Sequence, residues 1–325
     1  MNKTEFKAYF TTNKLSEVDY EYTIEILENL ENMFFLPAEK INLDQLDAYL
    51  QMLEKHKQAT RKAFIALMRY FKMVKRHDLF IRLTQYTGKL NVIESIIERA
   101  NHLHGKEFIS TILSDLNMPS LGTPPEKVVI FTNELMNRLK HHLRETEIKA
   151  VLTGNNHQIP EGAFAQELVE YENASTFEEY LQGLHARQVA ILQQHADESK
   201  IWFEQFINQE VVDYVSKDPL LLSGVIKDNH LHLKKIPYDI DGFLKETDPL
   251  KRRYLSCHCP FAREAILHQN PDISPLWCYC SAGFEKLPFE TVLKQKLKIE
   301  VIKSVLAGDD ECRFIIDLSH IDYKK

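Results

Sequence analysis

All five cysteines of this 325-residue chain lie between Cys257 and Cys312, as Cys257-x-Cys259, Cys278-x-Cys280 and Cys312, and the long stretch before them has none. An odd number of thiols cannot pair completely into disulfides. In a reducing compartment, clustered cysteines serve metal or redox chemistry before structural cross-links. Arg253–Cys259 and Trp277–Cys280 read as extended segments. In a strand, residues i and i+2 point to one face about 6–7 Å apart, so each C-x-C pair is expected to present two thiols to one ion. Zinc takes four such ligands at about 2.3 Å in a tetrahedron. Zinc is therefore the expected cofactor, with Cys257, Cys259, Cys278, Cys280 and Cys312 competing for its positions. The spacing between the pairs is close to that of zinc ribbons, although ribbons use C-x-x-C. Two other uses of thiols stand beside this one. Cys312 shares an alternating pattern with Phe314 and Ile316, where a buried thiol packs as a small apolar group, and a C-x-C pair can also do redox or nucleophilic work. His258 points away from its flanking thiols on such a strand, and with Arg263 it is read as addressing a small anionic ligand.

Charge and hydropathy narrow the function classes. The formal net charge is −7, whereas broad nucleic-acid binding wants a basic footprint. The start, Met1-Asn2-Lys3-Thr4-Glu5-Phe6, has no apolar core of a secretion signal, and no segment nears 18 uninterrupted apolar residues. A cytoplasmic protein without membrane or nucleic-acid partners is expected.

Only 10 glycines and 12 prolines punctuate the chain, which favours long helices over a many-turned β fold. Ser16, with carboxylates at Glu17, Asp19 and Glu21, announces a helix to about residue 35. Apolar spacing predicts others over 43–56, 60–75, 89–104 and 105–116. Thr123-Pro124-Pro125-Glu126 announces the next, and Thr176 with Glu179 a long one to about His195. Residues 198–216 also read as helical. His157 sits in a polar loop, 152–162. The period changes at His230–Ile236, an alternating strand that puts His230 and His232 on one face. A short helix is expected over Phe261–Gln269, a turn over Pro271–Pro275, and a helix over Pro288–Gln295. The chain ends in a hairpin: Leu297, Ile299 and Val301 alternate out, Gly308-Asp309-Asp310 turns, and Cys312, Phe314 and Ile316 alternate back. The expected class is α+β: an all-helical region 1–216 with a sub-boundary near 118–125, then a cysteine-containing α+β domain 217–325 with a small antiparallel sheet. The helical region is the expected partner or dimer surface.

Cys278, Ala282-Gly283-Phe284, Glu300, Gly308, Asp309 and Cys312-Arg313-Phe314 resemble the vinyl-reductase domain, which also forms the sensory half of aromatic-responsive bacterial activators. The resemblance covers about 40 residues, and the full layout, a long helical region followed by Cys-His-Cys-Pro and Cys-Tyr-Cys-Ser-Ala-Gly-Phe, resembles a family of bacterial proteins of uncharacterised function. The vinyl-reductase resemblance implies a zinc site of cysteines and an acidic residue beside a small-molecule pocket, with Cys278 and Cys312 at two ligand positions. Ser304 stands where that pattern has a cysteine, and Glu300 is one residue from the acidic ligand's place, so Cys257, Cys259 and Cys280 are available to replace them. The same tail is similar to the 2-amino-thiazoline-4-carboxylic acid hydrolase-like family. Three functions follow as expectations. One is a zinc-binding protein whose C-terminal domain holds a small organic ligand. The second is a hydrolase of a small cyclic or sulfur-containing amino-acid derivative, and the third a structural zinc module with an interaction surface. Whether the chain is an enzyme stays open at this level.

Overall fold

The computed structural model describes residues 3–268 and 272–325. Residues 269–271, where the expected helix Phe261–Gln269 ends and the Pro271–Pro275 turn begins, lie outside the described residues. The chain divides into two compact units, 1–90 with 117–128, and 91–116 with 129–325. The expected connector 118–125 lies in the first unit, and the helices after residue 129 belong with the cysteine-bearing region.

The first unit is built from α1 (Lys3–Thr12), α2 (Glu17–Phe34), α3 (Leu43–Lys55), α4 (Arg61–Met73) and α5 (His77–Thr87). Short polar side chains start three of them. Ser16, Asn42 and Thr60 each accept from the backbone N–H three residues on, and Gln45 returns the bond to Asn42, satisfying donors a helix start leaves orphaned. The apolar stripes meet in one core around Leu27, Leu50, Phe64, Leu67, Tyr70 and Leu83, all fully buried. The α4 stripe lies within it, so the basic residues around that helix form its outer face.

Lys89 is an unusual member of this unit. It is only 7 % exposed, its Nζ donates to the Thr123 carbonyl at 2.8 Å, and burial pulls its pKa from 10.5 to about 8. The native state therefore gives up this proton before the unfolded chain does. Its contribution to stability is unfavourable below pH 8 and rises as pH climbs from 8 to 10.5, by about 3 kcal/mol if the full shift is expressed. Urea unfolding of the intact chain at pH 8 and pH 10 should show that rise, and Lys89→Met should flatten it. An equal slope in the variant would refute the assignment.

The second unit contains α6 (Val92–His104), α7 (Lys106–Leu113), most of α8 (Pro125–His142), α9 (Glu145–Leu152), α10 (Ala165–Asn173) and α11 (Phe177–Asp197). Next comes a two-residue hairpin, β1 (Ile201–Trp202) with β2 (Gln205–Phe206), where helix was expected; α12 is confined to Gln209–Ser216. Asn208 decides this, because its side chain accepts from Val211 N–H and begins α12 there. The rest comprises β3 (Val225–Lys227), β4 (His230–Lys234), α13 (Ile240–Lys245), α14 (Pro249–Ser256), α15 (Arg263–His268), α16 (Tyr279–Leu293), β5 (Lys298–Lys303) and β6 (Arg313–Asp317). The four longer-range strands form one antiparallel sheet in the order β3-β4-β6-β5. Its register sets Leu231 opposite Ile316 and Ile316 opposite Ile299, so these buried residues line one face. His230 and His232 are half-buried, with ring centroids 6.4 Å apart, out of step with buried Leu231 and Leu233. The fold class is α+β, as expected. Among the described residues no helix is long and apolar enough to cross a membrane.

Candidate thiolate centre and adjoining cleft

The extended reading of both C-x-C segments is overturned. Asp248 caps α14 by accepting from Lys251 N–H at 2.8 Å and Pro249 holds its first turn, so Arg253–Ser256 is helical. Cys257 follows as the helix's C-terminal cap, and Cys259 lies in the turn before α15. Pro275–Cys278 is a short 3-10 turn running directly into α16, so Cys280 lies in the first turn of a helix. The Ala282-Gly283-Phe284 turn is likewise part of α16, which continues through Pro288. Neither pair shares a strand face. What brings the thiols near each other is the folding of three segments together.

Cys257 packs with Val305 and Ile266 in a small apolar cluster that Cys259 and Cys312 also touch. Cys278 reaches the same place through Ser304, whose Oγ lies 3.0 Å from the Cys278 sulfur. Burial pushes the thiols of Cys257, Cys259 and Cys312 up to about 12, and that of Cys278 well above its ordinary range. Neighbouring sulfurs add to this: Cys278 is raised further by Cys312, Cys257 and Cys259, and Cys312 by Cys257.

One donor nevertheless points at these sulfurs. The Trp277 indole N–H reaches Cys259 at 3.1 Å. Nearby backbone amides, of Phe261 and Ala262 for Cys259, of Cys259 for Cys257 and of Val305 for Cys312, pull these pKa values down without outweighing burial. A neutral thiol needs an acceptor for its proton, whereas donors suit a thiolate. Cys280 also neighbours the cluster, since its sulfur raises Cys259 further. It receives the Asn156 amide at 3.5 Å, and its raised pKa, set by burial, is opposed by Asn156 and Lys235. Among the described residues no group of three or more His, Cys, Asp or Glu side chains stands together in a metal-holding arrangement.

The weaker candidates His258 and Arg263 are placed close by but are engaged elsewhere. His258 Nε2 lies 2.7 Å from the Ile236 carbonyl, and Nδ1 lies 3.7 Å from Glu204. Burial and Lys235 hold its pKa down, against the pull of Glu204. Arg263 is 6 % exposed. Its guanidinium lies between the rings of Tyr254 and Tyr238, at 4.0 and 4.4 Å, and Nε donates to the Tyr254 carbonyl. His157 packs its ring edge-on to Phe284. Glu300 accepts from Lys149 at 2.9 Å and from the Tyr279 hydroxyl, both on helices α9 and α16.

Several residues that shape this region were not singled out from sequence. Lys235 reaches Glu285 at 2.7 Å and Ser281 at 2.9 Å. Burial works against its charge, yet Glu285, Cys312 and Glu204 raise its pKa overall. Beside it a cleft of about 380 Å³ opens between α14, the end of β4 and the hairpin turn, lined among others by Lys235, Arg252, Arg253 and Cys312. The Asp248-Pro249 pair, a helix cap followed by a first-turn proline, was the signal in the sequence that could have placed the two arginines on a helix.

Residues 237–322 match the model of a family of unknown function (DUF6144), a span holding all five cysteines and the cleft's arginines. No curated protein and no solved structure matches the chain.

Proposed function

We propose that the cysteine-bearing region is a zinc module of a cytoplasmic protein, with Cys257, Cys259, Cys278 and Cys312 as ligands and a small-molecule cleft at its side. The observation that carries this reading is the packing of buried thiols around Val305 and Ser304, with the Trp277 N–H donated to Cys259. Without a cation burial keeps these thiols neutral. A bound dication would stabilise the thiolates, and the Trp277 donor would then serve as an outer-shell hydrogen bond. Four soft donors from three separate segments suit tetrahedral zinc, and Cys280, which neighbours Cys259 but is engaged by the Asn156 amide, is the thiol left over. Cys312 links the two features, since it belongs to the thiol cluster and also lines the cleft.

This set favours a closed, structural ion over hydrolysis, because four thiolates leave zinc no position for water. Redox or nucleophilic work fits less well, since reactive cysteines have lowered pKa values and these are raised. Metal analysis of purified protein should find one zinc per chain. Cys278→Ser should lose most of it while Cys280→Ser keeps it. Equal retention in both variants would remove Cys278 from the set, and a metal-free wild type would end the zinc reading.

A further inference from the structure

The cleft beside Cys312 carries a charge pattern that names the chemistry of its occupant. Four cations line it: Lys234, Lys235, Arg252 and Arg253. Lys234 is matched by Asp218 at 3.0 Å and Glu311 at 3.2 Å, and Lys235 by Glu285 at 2.7 Å. Of the carboxylates in the lining, Glu311 is engaged by Lys234 and Asp310 by Lys303 at 3.3 Å. Among the described residues, no carboxylate forms an ion pair with Arg252 or Arg253. Both guanidiniums are held in place nonetheless. Arg252 Nη1 donates to the carbonyls of Phe243 and Glu246 at 2.7 and 2.8 Å, and its guanidinium lies 3.9 Å over the Phe243 ring. Arg253 Nε donates to the Val305 carbonyl at 2.9 Å. Arg252 Nη2 and both Nη groups of Arg253 are left without a protein partner among the described residues.

Two half-buried guanidiniums, fixed on one side and unmatched on the other, are preorganised donors for an oxyanion. The remaining lining includes Tyr214, Phe243, Pro237 and Pro249, an apolar wall that an inorganic anion would leave unused. The volume, about 380 Å³, is at the small end of ligand pockets, which run to about 1,000 Å³. A second cleft, about 410 Å³, shares Arg253 and Gly308 with it, so Arg253 stands where the two meet.

We propose that this cleft binds a small planar organic carboxylate, its oxygens gripped by Arg252 and Arg253 and its ring against Tyr214 and Phe243. The proposal rests on reading the cleft as the ligand site of the zinc module and gives that ligand a chemical class. Guanidinium forks match carboxylate geometry, and the Tyr214 and Phe243 rings, tilted with centroids 6.4 Å apart, with Pro237 and Pro249 offer a flat body apolar surface to lie against.

The test is calorimetric titration of the full-length, metal-analysed protein with benzoate, with its neutral isostere benzamide, and with inorganic phosphate. Benzoate should bind, more weakly as salt is raised, and benzamide should bind on the order of tenfold more weakly or not at all. Arg253→Gln should weaken benzoate on the order of tenfold with zinc content unchanged. Arg252→Lys, which keeps the charge but not the fork, should also weaken it, and circular dichroism checks its fold. Equal binding of benzamide would leave a ligand cleft but overturn the anion class. Phosphate binding as tight as benzoate would overturn the role of the apolar wall. Loss of zinc in the arginine variants would show that the guanidiniums serve the thiolate centre's charge, and this too would overturn the proposal. A zinc-free wild type that still binds benzoate through Arg253 would fail the metal reading alone.

Discussion

Stripping zinc with a chelator should unfold the cysteine-bearing region while the first unit, residues 1–90 with 117–128, stays folded. Structural zinc contributes on the order of 10 kcal/mol to folding, comparable to the whole stability of an ordinary domain. The proposed ligands lie on three segments, Cys257 and Cys259 between α14 and α15, Cys278 at the start of α16 and Cys312 before β6, so losing a bound ion would release all three at once. Limited proteolysis with mass mapping should show new cuts within residues 249–317 after chelation. The first unit is held by its own aromatic and aliphatic core and should resist as before. An unchanged digestion pattern would sink the prediction.

The pH response gives this result an independent sign. In the metal-free protein, burial raises the thiol pKa values of Cys257, Cys259 and Cys312 to about 12. Groups of this kind favour the fold below the unfolded thiol value near 9 and lose that contribution as pH rises from 9 towards 12. With metal bound the native thiolates carry no protons while the unfolded chain's thiols do, so stability falls as pH drops. Melting measured across pH with and without chelator should therefore show opposite slopes from this site.

Gly283→Ala should destabilise the second unit by about 2 kcal/mol, or roughly 5 °C in melting temperature. An added Cβ would lie 2.7 Å from both the Gly154 carbonyl oxygen and the Thr153 carbonyl carbon. These are backbone atoms in the turn after α9, so no rotamer change relieves the clash. Alanine gains about 1 kcal/mol of helix propensity over glycine, but overpacking against backbone outweighs it. Gly162→Ala is the matched control, because nothing lies within 4 Å of its added Cβ. Equal melting of the two variants would mean that α16 shifts freely away from that turn, which would contradict the close approach.

The helical first unit was legible because its signals are local. Ser16, Asn42, Gln45 and Thr60 act within one turn, and the apolar stripes of α2, α3 and α4 repeat at helical spacing. The terminal hairpin was legible for the same reason: a period of two along Ile299, Val301, Phe314 and Ile316 decides strands without help from elsewhere. The hairpin at 201–206 escaped because its strands are two residues long and its apolar residues mimic a helical face. Both C-x-C segments were misread as extended. Alternation over three or four residues cannot be told from one helical turn, and Asp248 before Pro249 settles the first of them in favour of helix.

The sequence by itself determined that the thiols would be confined to one region and that the fold would be helical with a small C-terminal sheet. Composition and short-range periodicity suffice for both. Tertiary structure decided which thiols keep company, because Cys257, Cys259, Cys278 and Cys312 meet through Val305 and Ser304 on a distant hairpin. It also decided that Arg252 and Arg253 face a cleft without a carboxylate to match them. Charge balance at a site depends on which side chains the fold brings within a few ångströms, and no spacing along the chain encodes that distance.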